Sequence, residues 1–352
     1  MARHRVAVIA GDGIGPDVVA EARRVVDATG SSIEWVELPW GSAYYEQHGL
    51  MMPRDAVDRI RGFDAVLLGA VGTPGVPDHI TLWGLLLELR QRLDLWANVR
   101  PVRLFPGVPH PLARRTPADV DMLFVRENSE GEYSGVGGRA HPGLPHEVAL
   151  DTSVFTRVGV ERVARYAFGL ARTRRGVVTS ATKSNASRHG YVLWDEIVRE
   201  VAADFPDVRC ESVLVDALAA RMVLAPQSLD VVVASNLFGD ILTDIGAALQ
   251  GGMGMAASAN IAPGGAVPGI FEPVHGSAPD IVGRGIANPM GAILGAAMML
   301  EQLGLGQAAS SLLDAVAATC ARGPATPDIG GSATTSEVGA AVAARVRASR
   351  TC

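Results

Sequence analysis

The stretch Val231–Gly246, VVVASNLFGDILTDIG, changes period in its middle. Val231 to Ala234 form an apolar run of strand length. The run breaks at Ser235-Asn236, after which Leu237, Phe238, Ile241, Leu242 and Ile245 recur at helical spacing. The chain therefore passes from a buried strand into a helix. Asp240 and Asp244 stand four apart on that helix, so their carboxylates leave one face, one turn from each other. Like charges at this spacing cost about 0.2–0.5 kcal/mol unless a cation lies between them. Two readings follow: a solvated acidic face, or a pair of hard oxygen donors for a divalent cation such as Mg²⁺, which is commonly held by one or two carboxylates plus substrate oxygens.

Working outward, strands alternate with helices along the whole chain, which argues for an α/β sheet. Arg5 to Ala10 reads as a strand and Gly11-Asp12-Gly13-Ile14-Gly15-Pro16 as a turn whose proline opens the next helix, with Val18, Val19, Ala22, Val25 and Val26 on its apolar face. The turn has the spacing GxGxGP, which departs from the GxGxxG dinucleotide fingerprint and weighs against a Rossmann site, although its glycines let backbone approach a ligand closely. Ile33 to Leu38 and Ala65 to Leu68 read as strands, and Leu82 to Leu95 as a helix carrying Arg90. Arg100 precedes a proline, so its backbone is extended. Asp121 to Val125 reads as a strand that delivers Arg126 at its end. Three arginines thus fall near element ends; they suit a substrate with two carboxylates, or they form surface ion pairs.

Residues 135–147 are rich in Gly, Pro and His, lack periodicity and read as an excursion or arm, in which His141 and His146 read as loop residues. Ser153 to Arg172 and Tyr191 to Ala203 read as helices flanking a strand from Val177 to Thr179, which leads into Ser180-Ala181-Thr182-Lys183-Ser184-Asn185. Asp216 falls in an apolar setting between Val213 and Leu218, where a carboxylate needs a partner or a cation. Residues 251–265 read as loose, and two apolar helices are expected towards the C-terminus.

Composition bounds the function. With 352 residues, two domains are expected, and 48% hydrophobic residues are ample for their cores. A formal charge of −6 (31 basic against 37 acidic residues) without any basic block weighs against a nucleic-acid partner. Cys210, Cys320 and Cys352 form no metal-ligand spacing and imply a reducing compartment. The apolar run Val6 to Ala10 is too short for a signal segment, and no run approaches a membrane span, so a cytoplasmic protein is expected. Ala292 to Leu300 reads as a helix buried in protein.

Together and in order, GDGIGPDV (11–18), LRQRLDLWANVRPV (89–102), RENSEGEYSG (126–135), TKSN (182–185), NLFGDILTDIG (236–246) and EPVHGSAPDIVGRGIANP (272–289) resemble the isocitrate/isopropylmalate dehydrogenase family of metal-dependent β-decarboxylating dehydrogenases. The resemblance spans nearly the whole chain. It implies an isopropylmalate dehydrogenase-like two-domain α/β fold with mixed sheets, distinct from Rossmann. Residues 1–95 plus 251–352 would form a terminal domain carrying most of the NAD site. Residues 96–250 would form a central domain with the dimer interface, an arm at about 135–150 and the metal aspartates. It further implies a homodimer with shared active sites.

Carried over by position, Arg90, Arg100 and Arg126 resemble the clamp for the substrate carboxylates, Tyr133 the acid that protonates the enol carbon, Lys183 the group that handles the hydroxyl proton, and Asn185 a further substrate-binding residue. Asp216, Asp240 and Asp244 resemble ligands of Mg²⁺ or Mn²⁺, with Lys183 and Asp216 coming from the neighbouring subunit; a monovalent cation such as K⁺ is also compatible. NAD would be lined by His275, Gly276, Ser277, Ala278, Asp280 and Asn288, with Ile14 and Glu272 near the nicotinamide. Asp280-Ile281 replaces the Lys-Tyr of NADP-using relatives, so NAD is expected over NADP.

Gly84 and Leu86 replace the Ser and Asn of isocitrate enzymes, whose substrate's third carboxylate would face leucine unpaired. Leu86 and Leu87 match isopropylmalate enzymes, whereas Trp83 stands where those carry Glu. Trp83, with HITLWGLLLELR and RENSEGEYSGVGG, most resembles the tartrate/D-malate subgroup, from which Leu85 departs. The expected substrate is a (2R)-hydroxy diacid, D-malate or tartrate, with 3-isopropylmalate or another 3-alkylmalate as the alternative. A non-catalytic regulatory subunit is the reading from a different class, and the presence of every catalytic and metal position weighs against it.

Overall fold

The computed structural model describes residues 3–265 and 267–350, so Cys352 lies outside the described residues. Among these residues the strands, in chain order, are β1 (His4–Gly11), β2 (Ile33–Glu37), β3 (Ala65–Ala70), β4 (Ala97–Arg103), β5 (Asp121–Glu127), β6 (Gly137–Ala140), β7 (Val148–Asp151), β8 (Val177–Thr182), β9 (Arg209–Leu214), β10 (Val231–Ala234), β11 (Ala257–Ile261) and β12 (Gly269–Pro273). The chain divides into a terminal unit of Met1–Leu95, Pro101–Val120 and Ala247–Cys352 and a central unit of Trp96–Arg100 and Asp121–Gly246.

In the terminal unit the strand order is β2-β1-β3-β12-β11. β1 runs parallel to β2 and β3, and β12 parallel to β3, while β11 is antiparallel to β12. The mixed α/β sheet expected from the sequence is therefore present. Parallel strands are covered on both faces, and β3 is buried at every position, which is why it reads as one apolar run. Helix Met290–Gln302 is buried nearly all round, as its lack of a polar face foretells. Ile9, Trp40, Met51, Leu68, Leu85 and Leu89 belong to the core cluster of this unit.

In the central unit the order is β4-β5-β10-β8-β9, with β5, β10, β8 and β9 parallel in register. β10 is buried at all its positions and passes at Asn236 into helix Asn236–Leu249, as the change of period foretells. Val125, Phe168, Trp194 and Val231 belong to this unit's core. The excursion is an antiparallel hairpin of β6 and β7 with every strand residue exposed.

Several elements differ from their sequence-based expectation. The helix expected over Leu82 to Leu95 starts at Asp78 and ends at Arg92, and its middle, Trp83–Leu87, is a π-helical turn. The helix expected from Ser153 begins at Arg157, because Thr156 caps it through a bond accepted from the Gly159 N–H at 3.0 Å. The strand expected to end at Thr179 continues to Thr182, and the loose region after Gly251 contains β11. Among the described residues three helices rather than two follow residue 289, Met290–Gln302, Gly306–Arg322 and Thr335–Arg350. Among the described residues no helix is long and apolar enough to cross a membrane.

Candidate active site

In the central unit, β4, β5 and helix Asn236–Leu249 bring three of the expected residues to the carboxylate of a fourth, Asp240. Arg126, at the end of β5, is 1% exposed, and its Nη1 bonds Asp240 Oδ1. Its Nε and Nη2 both donate to Asn236 Oδ1, at 3.0 and 2.6 Å. Arg100 donates from Nη1 to Thr243 Oγ1 at 2.7 Å and to Asp240 Oδ1 at 3.3 Å. Tyr133 donates its hydroxyl to Asp240 Oδ2 at 3.1 Å, with its ring 5.6 Å from the Arg126 guanidinium carbon. The cation that relieves the Asp240–Asp244 repulsion on this helix thus includes two guanidinium groups.

The relief is uneven. Asp240 takes the arginines, whereas Asp244 has its carboxyl pKa pushed up, first by partial burial and then by the charge of Asp240. Burial, followed by the Asp240 charge, also pushes the Tyr133 phenol up, so this hydroxyl holds its proton at neutral pH. Gly239 completes the arrangement: a Cβ there would collide with the Arg126 side-chain stem.

Lys183 and Asp216 meet each other within the central unit. Lys183 follows β8 directly, and its Nζ bonds Asp216 Oδ1 at 2.9 Å. Asp216 does not sit in the apolar setting expected from its neighbours. It opens helix Val215–Leu224 with its side chain 66% exposed, and Lys183 holds its carboxyl pKa below the ordinary value. Helix phase explains the difference, since Leu218 and Met222 bury the opposite face. Asn185 is exposed. Among the described residues, no group of three or more His, Cys, Asp or Glu side chains is placed to hold a metal ion.

In the terminal unit Arg90 and Glu272, expected to face substrate and nicotinamide respectively, are ion-paired: Arg90 Nη2 donates to Glu272 Oε1 at 3.0 Å. The same oxygen accepts from Asn260 Nδ2 at 2.7 Å and from Ser258 Oγ at 3.5 Å. Of the residues expected to read the substrate, Leu86 lies in the core cluster, Leu87 is half-buried and Trp83 is exposed. Ile14 is buried and donates its N–H to the Ser277 carbonyl at 3.0 Å. Gly13 lies at φ +58°, and a Cβ there would strike Ser277, so the turn after β1 and the loop at 275–280 are pressed together.

His275 Nδ1 bonds the Gly276 carbonyl at 2.9 Å, and its buried Nε2 makes no hydrogen bond. Burial lowers the ring's pKa, so the neutral form is favoured. Ala278 adopts φ +43°, and Asp280 is exposed. The Asn288 amide is engaged inside the chain, donating to Asp328 Oδ2 and accepting from the Met290 N–H, both at 3.0 Å.

Two positioning residues escaped the sequence reading. Asp12 accepts from the Ser42 N–H, the Ser42 hydroxyl and the Gly72 N–H, each at 2.8 Å, and so ties three segments of the terminal unit. Its place in a glycine-rich turn was a signal for such side-chain-to-backbone bonding. Asn236 carried no such signal beyond its position at the strand-to-helix break.

The isocitrate/isopropylmalate dehydrogenase family model matches residues 5–342. A probable tartrate dehydrogenase/decarboxylase of Agrobacterium vitis is 52% identical over 348 residues, covering 97% of this chain and 97% of that protein. The D-malate dehydrogenase (decarboxylating) of Escherichia coli strain K12 is 51% identical over 350 residues, covering 96% and 97%. The crystal structure of isocitrate dehydrogenase from Methylococcus capsulatus matches with a TM-score of 0.89 at 40% identity, over 98% of this chain and 99% of that one. On sequence over almost its entire length and on fold alike, the chain belongs to the isocitrate/isopropylmalate dehydrogenase family.

Proposed function

We propose that this chain catalyses the NAD- and divalent-metal-dependent oxidative decarboxylation of a (2R)-hydroxy diacid, D-malate (to pyruvate and CO₂) or tartrate. The observation that carries this is the convergence of Arg100, Arg126 and Tyr133 on the one partly open carboxylate of Asp240. Two relatives about half identical to this chain carry names that state tartrate and D-malate decarboxylation, which supports the substrate class.

The residues present fit both absent groups. Asp240 and Asp244 offer hard oxygens on one helix face, with the Asp244 charge incompletely compensated, as suits Mg²⁺ or Mn²⁺; Asp216 would be contributed by the neighbouring subunit together with Lys183. His275 has a buried, unpartnered Nε2 beside Gly276, where nothing crowds the backbone, as suits a dinucleotide. Asp280 would accept from a ribose 2′-OH and repel a 2′-phosphate, favouring NAD over NADP. When bound, NAD supplies the hydride acceptor and the metal ion supplies Lewis-acid stabilisation of developing oxygen charge.

The chain's own residues do the rest. Arg90, Arg100 and Arg126 bind and orient the two carboxylates through charge-assisted bonds. Lys183 Nζ takes the C2 hydroxyl proton as the C2–H bond breaks, giving a β-keto acid. The bond between C3 and the departing carboxylate then breaks, CO₂ leaves, and the Tyr133 hydroxyl delivers a proton to C3 of the enol. Gly84 leaves no room for a Cβ beside Met51, so the serine that isocitrate enzymes carry there does not fit. The exposed hairpin β6–β7, with Val136, Leu144 and Leu150 outward, suits a second copy of the chain in a homodimer. The free thiols of Cys210 and Cys320 suit a reducing, cytoplasmic setting.

The test is kcat/KM with NAD⁺ and Mn²⁺ across D-malate, the tartrate isomers, 3-isopropylmalate and isocitrate. D-malate or a tartrate should lead 3-isopropylmalate by about 10-fold or more, the scale at which a pocket reads a few methylenes. A lead by 3-isopropylmalate would move the assignment to the 3-alkylmalates, and no NADH from any of them would restore the regulatory-subunit reading.

A further inference from the structure

We infer that Glu132 is the residue that positions the Tyr133 phenol, by tying its loop at once to the first turn of the helix that carries Asp240 and to the Tyr191 hydroxyl. This inference rests on the role proposed for Tyr133. It starts from four residues at the end of β5 and in the loop before Tyr133, namely Glu127, Glu130, Gly131 and Glu132, each of which is anchored differently.

Glu127 closes the first part of the loop on itself, accepting from the Ser129 N–H at 3.0 Å and the Glu130 N–H at 2.8 Å. Glu130 reaches sideways, accepting from the Thr156 N–H at 2.9 Å just before helix Arg157–Arg172. Gly131, at φ +70°, exchanges backbone bonds with Val154 at 2.8 and 3.1 Å, and a side chain there would press on Asn236. A first tie to helix Asn236–Leu249 comes from the Glu130 carbonyl, which accepts from Asn236 Nδ2 at 2.9 Å, but it does not adjoin Tyr133.

Glu132 does. Its Oε2 accepts from the Leu237 N–H at 3.2 Å, one of the donors that the first turn of a helix leaves without a partner in the helix itself. A carboxylate at that end also meets the positive pole of the helix dipole. Its Oε1 accepts from the Tyr191 hydroxyl at 3.1 Å. Tyr191 is itself held: its hydroxyl also bonds Ser235 Oγ at 2.6 Å, and its ring stacks on Phe238 at 4.6 Å and leans on Phe155 at 5.0 Å. Ser235, Leu237 and Phe238 flank the start of the helix that presents Asp240 one turn later. The phenol and the carboxylate that receives its hydrogen bond at 3.1 Å are therefore gauged from the same helical turn, with Glu132 as the strut.

A reacting group misplaced by about an ångström loses on the order of 100-fold in rate, so a lost strut should be read in turnover. The experiment is a double-mutant cycle of Glu132→Ala with Tyr133→Phe on the full chain, with D-malate, NAD⁺ and Mn²⁺. Glu132→Ala should lower kcat by about 10- to 100-fold with KM for NAD⁺ within about twofold. In the Tyr133→Phe background the same change should alter kcat less than about twofold, because a residue that acts through Tyr133 has nothing left to position. Tyr191→Phe keeps the ring stack and removes the hydroxyl that meets Glu132; it should give a smaller loss of the same non-additive kind, and it stands in should Glu132→Ala fail to fold. Losses that multiply across the cycle would overturn the inference. If Tyr133→Phe alone left kcat unchanged, the role of Tyr133 would fall first, an outcome distinct from additivity.

Discussion

The molecule holds two arginine–carboxylate clusters built from the same chemistry and sealed to different degrees. In the terminal unit Arg90 and Glu272 have side chains 6% and 8% exposed, and Glu272 Oε1 is closed off by Asn260 and Ser258 as well. In the central unit the arginines are equally buried, but the carboxylate they meet, Asp240, keeps 35% of its side chain exposed. The first cluster has its charges matched and water excluded; the second has buried cations facing a carboxylate that still reaches solvent. A sealed pair secures the fold around it, because removing either partner strands a charge in a low dielectric, and it leaves Arg90 its buried, unpartnered Nε for the substrate role proposed for it. An open carboxylate backed by buried guanidinium groups stays able to accept a further ligand.

This contrast is breakable by mutation. The largest effect expected is on Glu272→Ala, which strands Arg90 and should lower the free energy of unfolding by about 3–5 kcal/mol, read as a shifted denaturant midpoint at unchanged slope. A midpoint within error of the parent would show that the sealed pair holds nothing. Asp240→Asn, which keeps an oxygen for the arginines, should cost about 1 kcal/mol or less of stability while Mn²⁺ dependence and CO₂ release weaken strongly. A folding defect as large as that of Glu272→Ala would erase the distinction between the clusters. The smallest effect belongs to Asp244→Asn: removing one of two like charges at this spacing should stabilise the metal-free protein by about 0.2–0.5 kcal/mol and raise the Mn²⁺ concentration needed for half-activity. Loss of stability together with unchanged Mn²⁺ response would make Asp244 an ordinary helix residue.

The parts of this architecture that the sequence displays are those with a period. β3 and β10 appear as unbroken apolar runs because both of their faces are covered, and helix Asn236–Leu249 announces itself by the recurrence of Leu237, Ile241 and Ile245. Asp216 was misplaced because a strand-to-helix change at Val215 turns its carboxylate away from its apolar neighbours. The bond between Arg90 and Glu272 joins residues 182 positions apart, and nothing in either neighbourhood records the other. Glu132 and Asn236 act through a few hydrogen bonds to backbone, phenol and guanidinium groups, which leave no compositional trace.

The π-helical turn at Trp83–Leu87 has a consequence for how this region can vary. A π turn carries one residue more than the α turn it replaces, and each residue of an α-helix advances the phase by about 100°. Deleting a single residue from this stretch would let the turn close as a regular α turn while Asp78–Leu82 and Glu88–Arg92 kept their phase relative to each other. A one-residue indel confined to this turn is thereby absorbed locally, with Arg90 and the core leucine Leu89 left in place. Divergence in this segment can proceed by gain or loss of one residue within the turn as readily as by substitution.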